Sequence, residues 1–147
     1  MTTLDTKTGL LAKDDFMRFL AEDVERAKAE DRAYTVIVVV PQHLPGEGVS
    51  DVVGTAAGCL RDLLRDNDLG GRLDEEVLAM GLPDTDKTEA SVVSFRLQSD
   101  LRLRSYHLRN TSWEPGMASL GDDGESAAAL LSAAIDASKT HRRRLAN

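Results

Sequence analysis

The sequence predicts an α/β fold in which helices pack on a single sheet, and two patterns in the chain indicate it. Short runs of β-branched residues, which are typical of buried strands, alternate with segments whose apolar residues recur every three or four positions, which is typical of amphipathic helices. Strands and helices interleaved in this way form one sheet covered by helices. The 147 residues suit one domain, 1–147, with one hydrophobic core.

Four segments have the apolar spacing of helices. The first runs from 16 to 31 and has four apolar residues on one face: Phe16, Leu20, Val24 and Ala27. The second lies at 52–64, the third at 87–98, and the last begins near residue 127. The third follows "PDTD" (83–86), whose aspartates and threonine are residue types that cap helix N-termini.

The strands are predicted from β-branched and alternating runs. "YTVIVVV" (34–40) and "EVLAMGL" (76–82) have the composition of buried strands. "LRLRSYHLRN" (101–110) alternates apolar and charged residues, so we expect a strand with one solvated face, and "MASL" (117–120) suggests a further strand. The glycine pair at 70–71 is expected to break the chain between the second helix and the strand at 76–82.

Composition and charge exclude several classes of function. The formal net charge of −7 and the pI near 4.9 weigh against general binding to nucleic acid or to anionic membranes, although a local arginine-lined anion pocket remains compatible with them. The single cysteine, Cys59, cannot form an intrachain disulfide, and we expect a buried, inert thiol. No apolar run reaches transmembrane length, so we expect a cytoplasmic domain without membrane insertion.

Three segments, in order along the chain, resemble the GGDEF family, the diguanylate cyclase domain of bacteria. "DTKTGL" (5–10) is similar to the D-x-L-T-G-L opening of the family, with Lys7 in place of leucine. "RLDEEVLAMGLPDTD" (72–86) is similar, without a gap, to R-[YL]-G-G-D-E-F-x-x-x-L-P-x-T-x, and 116–139 is similar to the family's final segment. The resemblance implies a GGDEF-type sandwich, with a central, mostly antiparallel sheet flanked by helices.

The resemblance also shows which catalytic features this chain lacks. The family binds GTP and two divalent metal ions, and a dimer condenses two GTP into cyclic di-GMP. Its signature needs glycines because the backbone approaches the nucleotide closely, and it needs carboxylates because magnesium prefers oxygen ligands. Here "DEEVL" stands in its place: Asp74 and Glu75 replace the glycines, and Glu76 retains a carboxylate.

Two further family positions differ as well. Val40 stands where the family has a metal-binding aspartate, and Pro45 stands where it has a phosphate-contacting lysine. With the glycines also replaced, we expect no cyclase activity, no bound metal and no other cofactor. Residual GTP binding through Glu76 is a minor alternative.

One ligand-binding motif of the family is retained. "RDND" (65–68) matches R-x-x-D of the family's inhibitory site, five residues before the signature, and gapless counting puts Arg96 where the family has a further arginine. The resemblance implies that Arg65, Asp68 and Arg96 bind cyclic di-GMP. Guanidinium groups can donate paired hydrogen bonds to phosphate or to guanine O6 and N7, and a carboxylate can accept from guanine N–H groups. Alternatively, Arg65 and Asp68 form an exposed ion pair of little consequence, and Arg96 is a solvated helix residue.

Two functional hypotheses remain. In the first, the chain is a catalytically inactive receptor for cyclic di-GMP that relays the signal to a protein partner. An intercalated pair of ligands, which in the family crosslinks two such sites, would then produce a ligand-induced homodimer. In the second, the chain is a protein-interaction module of the same fold that binds no nucleotide.

Overall fold

The computed structural model describes residues 2–40, 49–104 and 114–146, and helices and strands alternate along these ranges much as the sequence predicts. The elements in chain order are α1 (Lys13–Glu30), β1 (Tyr34–Val39), α2 (Val49–Leu63), β2 (Leu69–Asp74), β3 (Val77–Pro83), α3 (Lys87–Arg104), β4 (Gly116–Ser119) and α4 (Ala127–Ala146). The predicted α/β class is confirmed, and so are the strands predicted at 34–40 and 76–82 and the further strand at "MASL".

The four strands form one antiparallel sheet in the order β2-β3-β1-β4. In the register of the central pair, Tyr34 of β1 lies opposite Pro83 of β3, and Val39 lies opposite Leu78. All six residues of β1 are buried, because helices cover both faces of the sheet. The mostly antiparallel sheet implied by the family resemblance is therefore confirmed.

Two apolar clusters make up the core, one on each face of the sheet. Ile37 and Val39 of β1 pack with residues of α2 and α3, whereas Val36 and Val38 pack with residues of α1 and α4. The four residues predicted for the apolar face of the first helix are all buried in the second cluster: Phe16, Leu20, Val24 and Ala27. Cys59 is fully buried in the first cluster, as the sequence predicts.

The expected chain break at the glycine pair is wrong, because Gly70 and Gly71 lie inside strand β2. A Cβ added to Gly71 would lie 2.4 Å from Cγ of Phe16, and one added to Gly70 would lie 2.7 Å from a methyl carbon of Leu64. The strand therefore needs glycine at these positions so that α1 and the segment after α2 can pack directly on its backbone.

The strand predicted at 101–110 is also wrong over its described part. Residues 101–104 form the last turn of α3, and the remainder lies outside the described residues. Leu101 is fully buried while Leu103 is 76% exposed, so the two leucines lie on different faces of a helix and not on one face of a strand. In the described part of the chain, no helix is long and apolar enough to cross a membrane.

The packing of Phe16 on β2 predicts the effect of replacing Gly71. Gly71→Ala would force a methyl group into the ring of Phe16, so we expect a loss of about 1–3 kcal/mol in the free energy of unfolding, measured by urea denaturation. Gly54→Ala is the matched control, because the added carbon would meet no described atom within 4 Å apart from its chain neighbours and the backbone of its own helix. In a helix this control should gain about 0.5–1 kcal/mol. Equal effects in the two variants would contradict the packing argument.

Candidate ligand-binding site

Arg65 and Asp68 lie in the turn that joins α2 to β2. Helix α2 ends at Leu63, and the backbone N–H of Asp68 donates to the carbonyl oxygen of Arg65 at 3.0 Å. The two side chains are therefore brought to the same side by a tight turn beyond the helix end rather than by helical spacing.

The Asp68 carboxylate holds Arg65 in one orientation. Its Oδ2 accepts from the Arg65 backbone N–H at 2.9 Å and from Nε at 3.1 Å, and its Oδ1 accepts from Nη2 at 3.2 Å. This hydrogen bonding, together with the negative charge, raises the pKa of the Arg65 guanidinium. Only 2% of the Asp68 side chain is exposed, against 62% for Arg65. In this arrangement Asp68 orients the arginine, and its direct contact with a guanine stays a prediction.

Thr85 supports Arg65 from the connection between β3 and α3. Its hydroxyl oxygen accepts from Arg65 Nη2 at 2.9 Å, and the hydroxyl donates to the carbonyl oxygen of Pro83 at 2.9 Å. Thr85 is 2% exposed, so this support is rigid. Sequence reasoning interpreted Thr85 only as part of a helix cap, although it stands at the threonine of the family's L-P-x-T pattern.

The structure brings the three predicted residues to one pocket of about 380 Å³, which lies between the turn after α2 and helix α3. This volume falls within the usual range of small-molecule sites. Apolar and polar side chains share its lining, as follows: Leu63, Arg65, Asp68, Thr85, Glu89, Val92, Val93 and Arg96. Two arginines therefore face a partly apolar pocket, which is an arrangement that suits a ligand with both phosphates and flat bases.

Helix α3 begins with a capping box that fixes the position of Glu89 at this pocket. The Glu89 backbone N–H donates to Asp86 Oδ1 at 2.8 Å, and the Asp86 backbone N–H donates to Glu89 Oε1 at 3.1 Å. The sequence predicts a helix cap here, but it does not predict that Glu89 lines the pocket, which only the structure shows.

A second pocket, of about 290 Å³, lies at the C-terminal end of α1. Its charged side chains neutralise one another, because Arg32 lies 3.2 Å from Glu30 and 3.2 Å from Asp84. The first pocket is the better candidate for the ligand that the sequence predicts, because it contains Arg65, Asp68 and Arg96 together.

The segment 74–78, for which the resemblance implies the position of the family signature, includes a tight hairpin turn between β2 and β3. Asp74 pairs with Val77, which leaves Glu75 and Glu76 as the turn. Arg72 stabilises the turn by two hydrogen bonds. Its Nη2 donates to the carbonyl oxygen of Glu75 at 2.8 Å, and its Nε donates to the carbonyl oxygen of Asp74 at 3.3 Å. The side chains of Asp74 and Glu75 thus stand at an exposed turn whose carbonyls are engaged by an arginine.

The other family positions are only partly within the described structure. Val40, for which the resemblance implies the position of a metal-binding aspartate, is 8% exposed and belongs to the apolar cluster beneath α1 and α4. Pro45 lies outside the described residues. Across 2–40, 49–104 and 114–146, no three His, Cys, Asp or Glu side chains converge in a group that could hold a metal ion.

The fold is an α/β sandwich in which helices cover both faces of a four-stranded antiparallel sheet. The chain belongs to the GGDEF family, since the model of that family, described as the diguanylate cyclase GGDEF domain, matches residues 2–147. A comparison with curated proteins gave no match.

Solved structures have the same fold. A sensory box/GGDEF family protein from Caulobacter crescentus CB15 superposes with a TM-score of 0.83 at 20% identity, covering 96% of this chain and 98% of that one. The GGDEF domain of DgcB from Caulobacter crescentus, solved in complex with c-di-GMP, gives 0.80 at 20% identity, covering 96% and 88%. Diguanylate cyclase SiaD from Pseudomonas aeruginosa, solved with its activator SiaC, gives 0.83 at 20% identity, and the match covers 96% of this chain and 58% of SiaD.

Asp5 connects the N-terminal segment to the hairpin. Its Oδ2 accepts from the Thr8 backbone N–H at 2.9 Å and from the Thr8 hydroxyl at 2.7 Å, and Arg72 Nη1 lies 3.3 Å from both of its oxygens. Partial burial acts to raise the pKa of Asp5, but the Thr8 hydrogen bonds and the Arg72 charge outweigh it, so the pKa lies below its usual range.

This lowered pKa predicts a pH-dependent contribution of Asp5 to stability. Asp5→Asn should lower the free energy of unfolding at pH 7 by about 1–2 kcal/mol, because charge-assisted hydrogen bonds are lost. Since the folded pKa is lower than the unfolded value of about 3.9, this contribution is present above pH 4 and disappears as the pH falls through the folded pKa. Urea unfolding of both proteins at pH 7 and pH 3 measures the difference. Asp66→Asn, at an exposed position, serves as the control, and a gap that does not narrow at pH 3 would exclude this account.

Proposed function

We propose that this domain is a catalytically inactive receptor for cyclic di-GMP that relays the signal to a protein partner. The observation that carries the proposal is the convergence of Arg65 and Arg96 on one partly apolar pocket, with Arg65 held by Asp68 on one side and Thr85 on the other. A guanidinium held in this way binds a phosphate or a guanine edge without losing further conformational entropy.

The chemistry of the pocket fits the ligand. Arg65 uses Nε and Nη2 to bind Asp68 and Thr85, and its Nη1 hydrogens have no acceptor among the described residues, so they can bind an incoming phosphate or a guanine O6. Val92 and Val93 offer an apolar wall for a base. The complex of the DgcB GGDEF domain with c-di-GMP supports the ligand class, because that domain has the same fold.

The proposed inactivity rests on the hairpin and on β1. Asp74 and Glu75 add exposed side chains and negative charge at the two glycine positions of the signature, where the family binds a triphosphate. The side chain of Val40 offers no oxygen to a metal ion at the end of the central strand. The loss of both features removes the close backbone approach and a metal ligand together.

Calorimetric titration tests the receptor. We expect cyclic di-GMP to bind the wild type with micromolar or tighter affinity, and Arg65→Ala to weaken binding about tenfold to a hundredfold, because each lost charge-assisted contact costs about 1.5–3 kcal/mol. Arg65→Lys should also weaken binding, since it keeps the charge but loses the guanidinium contacts with Asp68 and Thr85 that orient the side chain.

Arg102→Ala is the matched control for this titration. Arg102 is an exposed arginine of the same helix as Arg96 and does not line the pocket, so its removal should leave the affinity unchanged. An equal loss of affinity in the Arg65 and Arg102 variants would indicate general charge attraction and would contradict specific binding at this pocket. Light scattering on the same samples measures whether ligand doubles the mass, as the proposed ligand-induced homodimer requires.

Incubation with GTP tests the proposed lack of catalysis. The wild type with GTP and Mg²⁺ or Mn²⁺ should yield no cyclic di-GMP by chromatography, and a GTP titration with magnesium should give no heat. An active diguanylate cyclase run in parallel validates the assay. Product formation above the buffer background would disprove the inactivity. Binding of GTP without turnover would favour the alternative in which GTP is an allosteric ligand.

A protein-interaction module that binds no nucleotide is the second candidate, and the surface of α3 favours it. Val92, Phe95 and Leu103 are 62%, 70% and 76% exposed, although large apolar side chains usually pack inside. Exposed apolar side chains grouped on one helix are typical of protein-binding surfaces. A wild type that does not bind cyclic di-GMP would leave this candidate as the working function.

A further inference from the structure

Guanine recognition needs an acceptor that the predicted residues do not readily supply. The Watson–Crick edge of guanine has two neighbouring N–H donors, at N1 and N2, and a carboxylate can accept from both. Adenine has an acceptor at N1, so a carboxylate there repels it. A carboxylate that faces the pocket would therefore let a receptor distinguish the two bases.

Asp68 is already engaged in the described arrangement. Both of its oxygens accept hydrogen bonds from Arg65, and only 2% of its side chain is exposed. Turning this carboxylate toward a base would break the contacts that orient the arginine. A different acidic side chain in the same pocket is better placed for the role.

Glu89 has the required features. It lines the pocket and is exposed, and the capping box uses its Oε1 as an acceptor for the Asp86 backbone N–H at 3.1 Å. Its Oε2 has no donor among the described residues and can accept from a ligand. The capping box restrains the side chain at the start of α3, so a ligand meets a carboxylate that is already positioned.

The positions along α3 give the pocket a chemical order. Glu89, Val92, Val93 and Arg96 are spaced at three, four and seven residues, so they lie on one face of the helix and all line the pocket. Glu89 and Arg96 are separated by about 10 Å along the helix axis, at 1.5 Å per residue. Glu89 can accept from the edge of a base, and the two valines can contact its flat face. Arg96, farther along the helix, can bind a phosphate.

We infer that Glu89 is the residue that selects guanine in this pocket, by accepting from N1–H and N2–H of one base of the bound cyclic dinucleotide. The inference rests on the proposed function and adds the base specificity of the site. Asp68, in this account, is a positioning residue that acts through Arg65.

Glu89→Gln, titrated calorimetrically with cyclic di-GMP and with cyclic di-AMP, tests the inference. Glutamine keeps an acceptor for the Asp86 N–H, so the helix cap is retained, and its amide can both accept from and donate to adenine. We expect the affinity for cyclic di-GMP to fall about tenfold to a hundredfold. We expect the affinity for cyclic di-AMP to stay the same or rise, so the preference for guanine should collapse.

Glu22→Gln is the matched control, because it removes the same charge from an exposed position on α1 outside the pocket. It should keep the wild-type preference, and the thermal unfolding temperature of both variants checks the fold. A Glu89→Gln protein with an unchanged preference would overturn the inference and leave the proposed receptor standing. Tighter binding of both ligands by this variant would also overturn it, since Glu89 would then only repel phosphate. A wild type that binds neither ligand would overturn the proposed function and the inference together.

Discussion

The burial of β1 on both faces is the constraint on which the rest of the domain depends. Six consecutive buried residues pair with β3 on one side and β4 on the other, and their side chains alternate between the two apolar clusters of the core. A strand of this kind has no solvated face, so helices must cover both sides of the sheet. The order of the elements and the sandwich architecture follow from that requirement.

The candidate site is connected to this strand by hydrogen bonds. The hydroxyl of Thr35, in the middle of the buried sheet, donates to the carbonyl oxygen of Thr85 at 2.8 Å and also bonds Ser119 Oγ at 2.8 Å. Thr85 in turn accepts from Arg65, which Asp68 holds from the other side. Buried polar groups are stable only when they are hydrogen-bonded, so this chain fixes the arginine relative to the core. The pocket is therefore built on the rigid part of the fold, which favours a preorganised binding site.

Sequence patterns predicted the elements whose signals are local and missed those that depend on contacts distant in sequence. The buried run of β1 and the helical spacing from Phe16 onward can be recognised without a structure. Strand β2 could not, because the glycines at 70 and 71 are explained only by the packing of Phe16 and Leu64 on its backbone. The gathering of Arg65, Asp68 and Arg96 followed from family spacing, whereas the burial of Asp68 depends on a turn that no residue pattern specified.

The arginine turn and the hairpin lie far enough apart that a change in one need not disturb the other. Asp68 precedes β2 and Asp74 ends it, so the arginine turn and the signature hairpin lie at opposite ends of one strand, about 20 Å apart at 3.3 Å per residue. The hairpin also retains a structural role, since Arg72 joins its carbonyls to Asp5 of the N-terminal segment. Replacing the glycines therefore alters the proposed nucleotide chemistry without removing the contacts that hold the turn. Strand β2 pairs with β3 along its length, with one irregularity in the register between Arg72 and Asp74. The pocket lies beyond the other end of the strand, so the proposed loss of catalysis requires no change there.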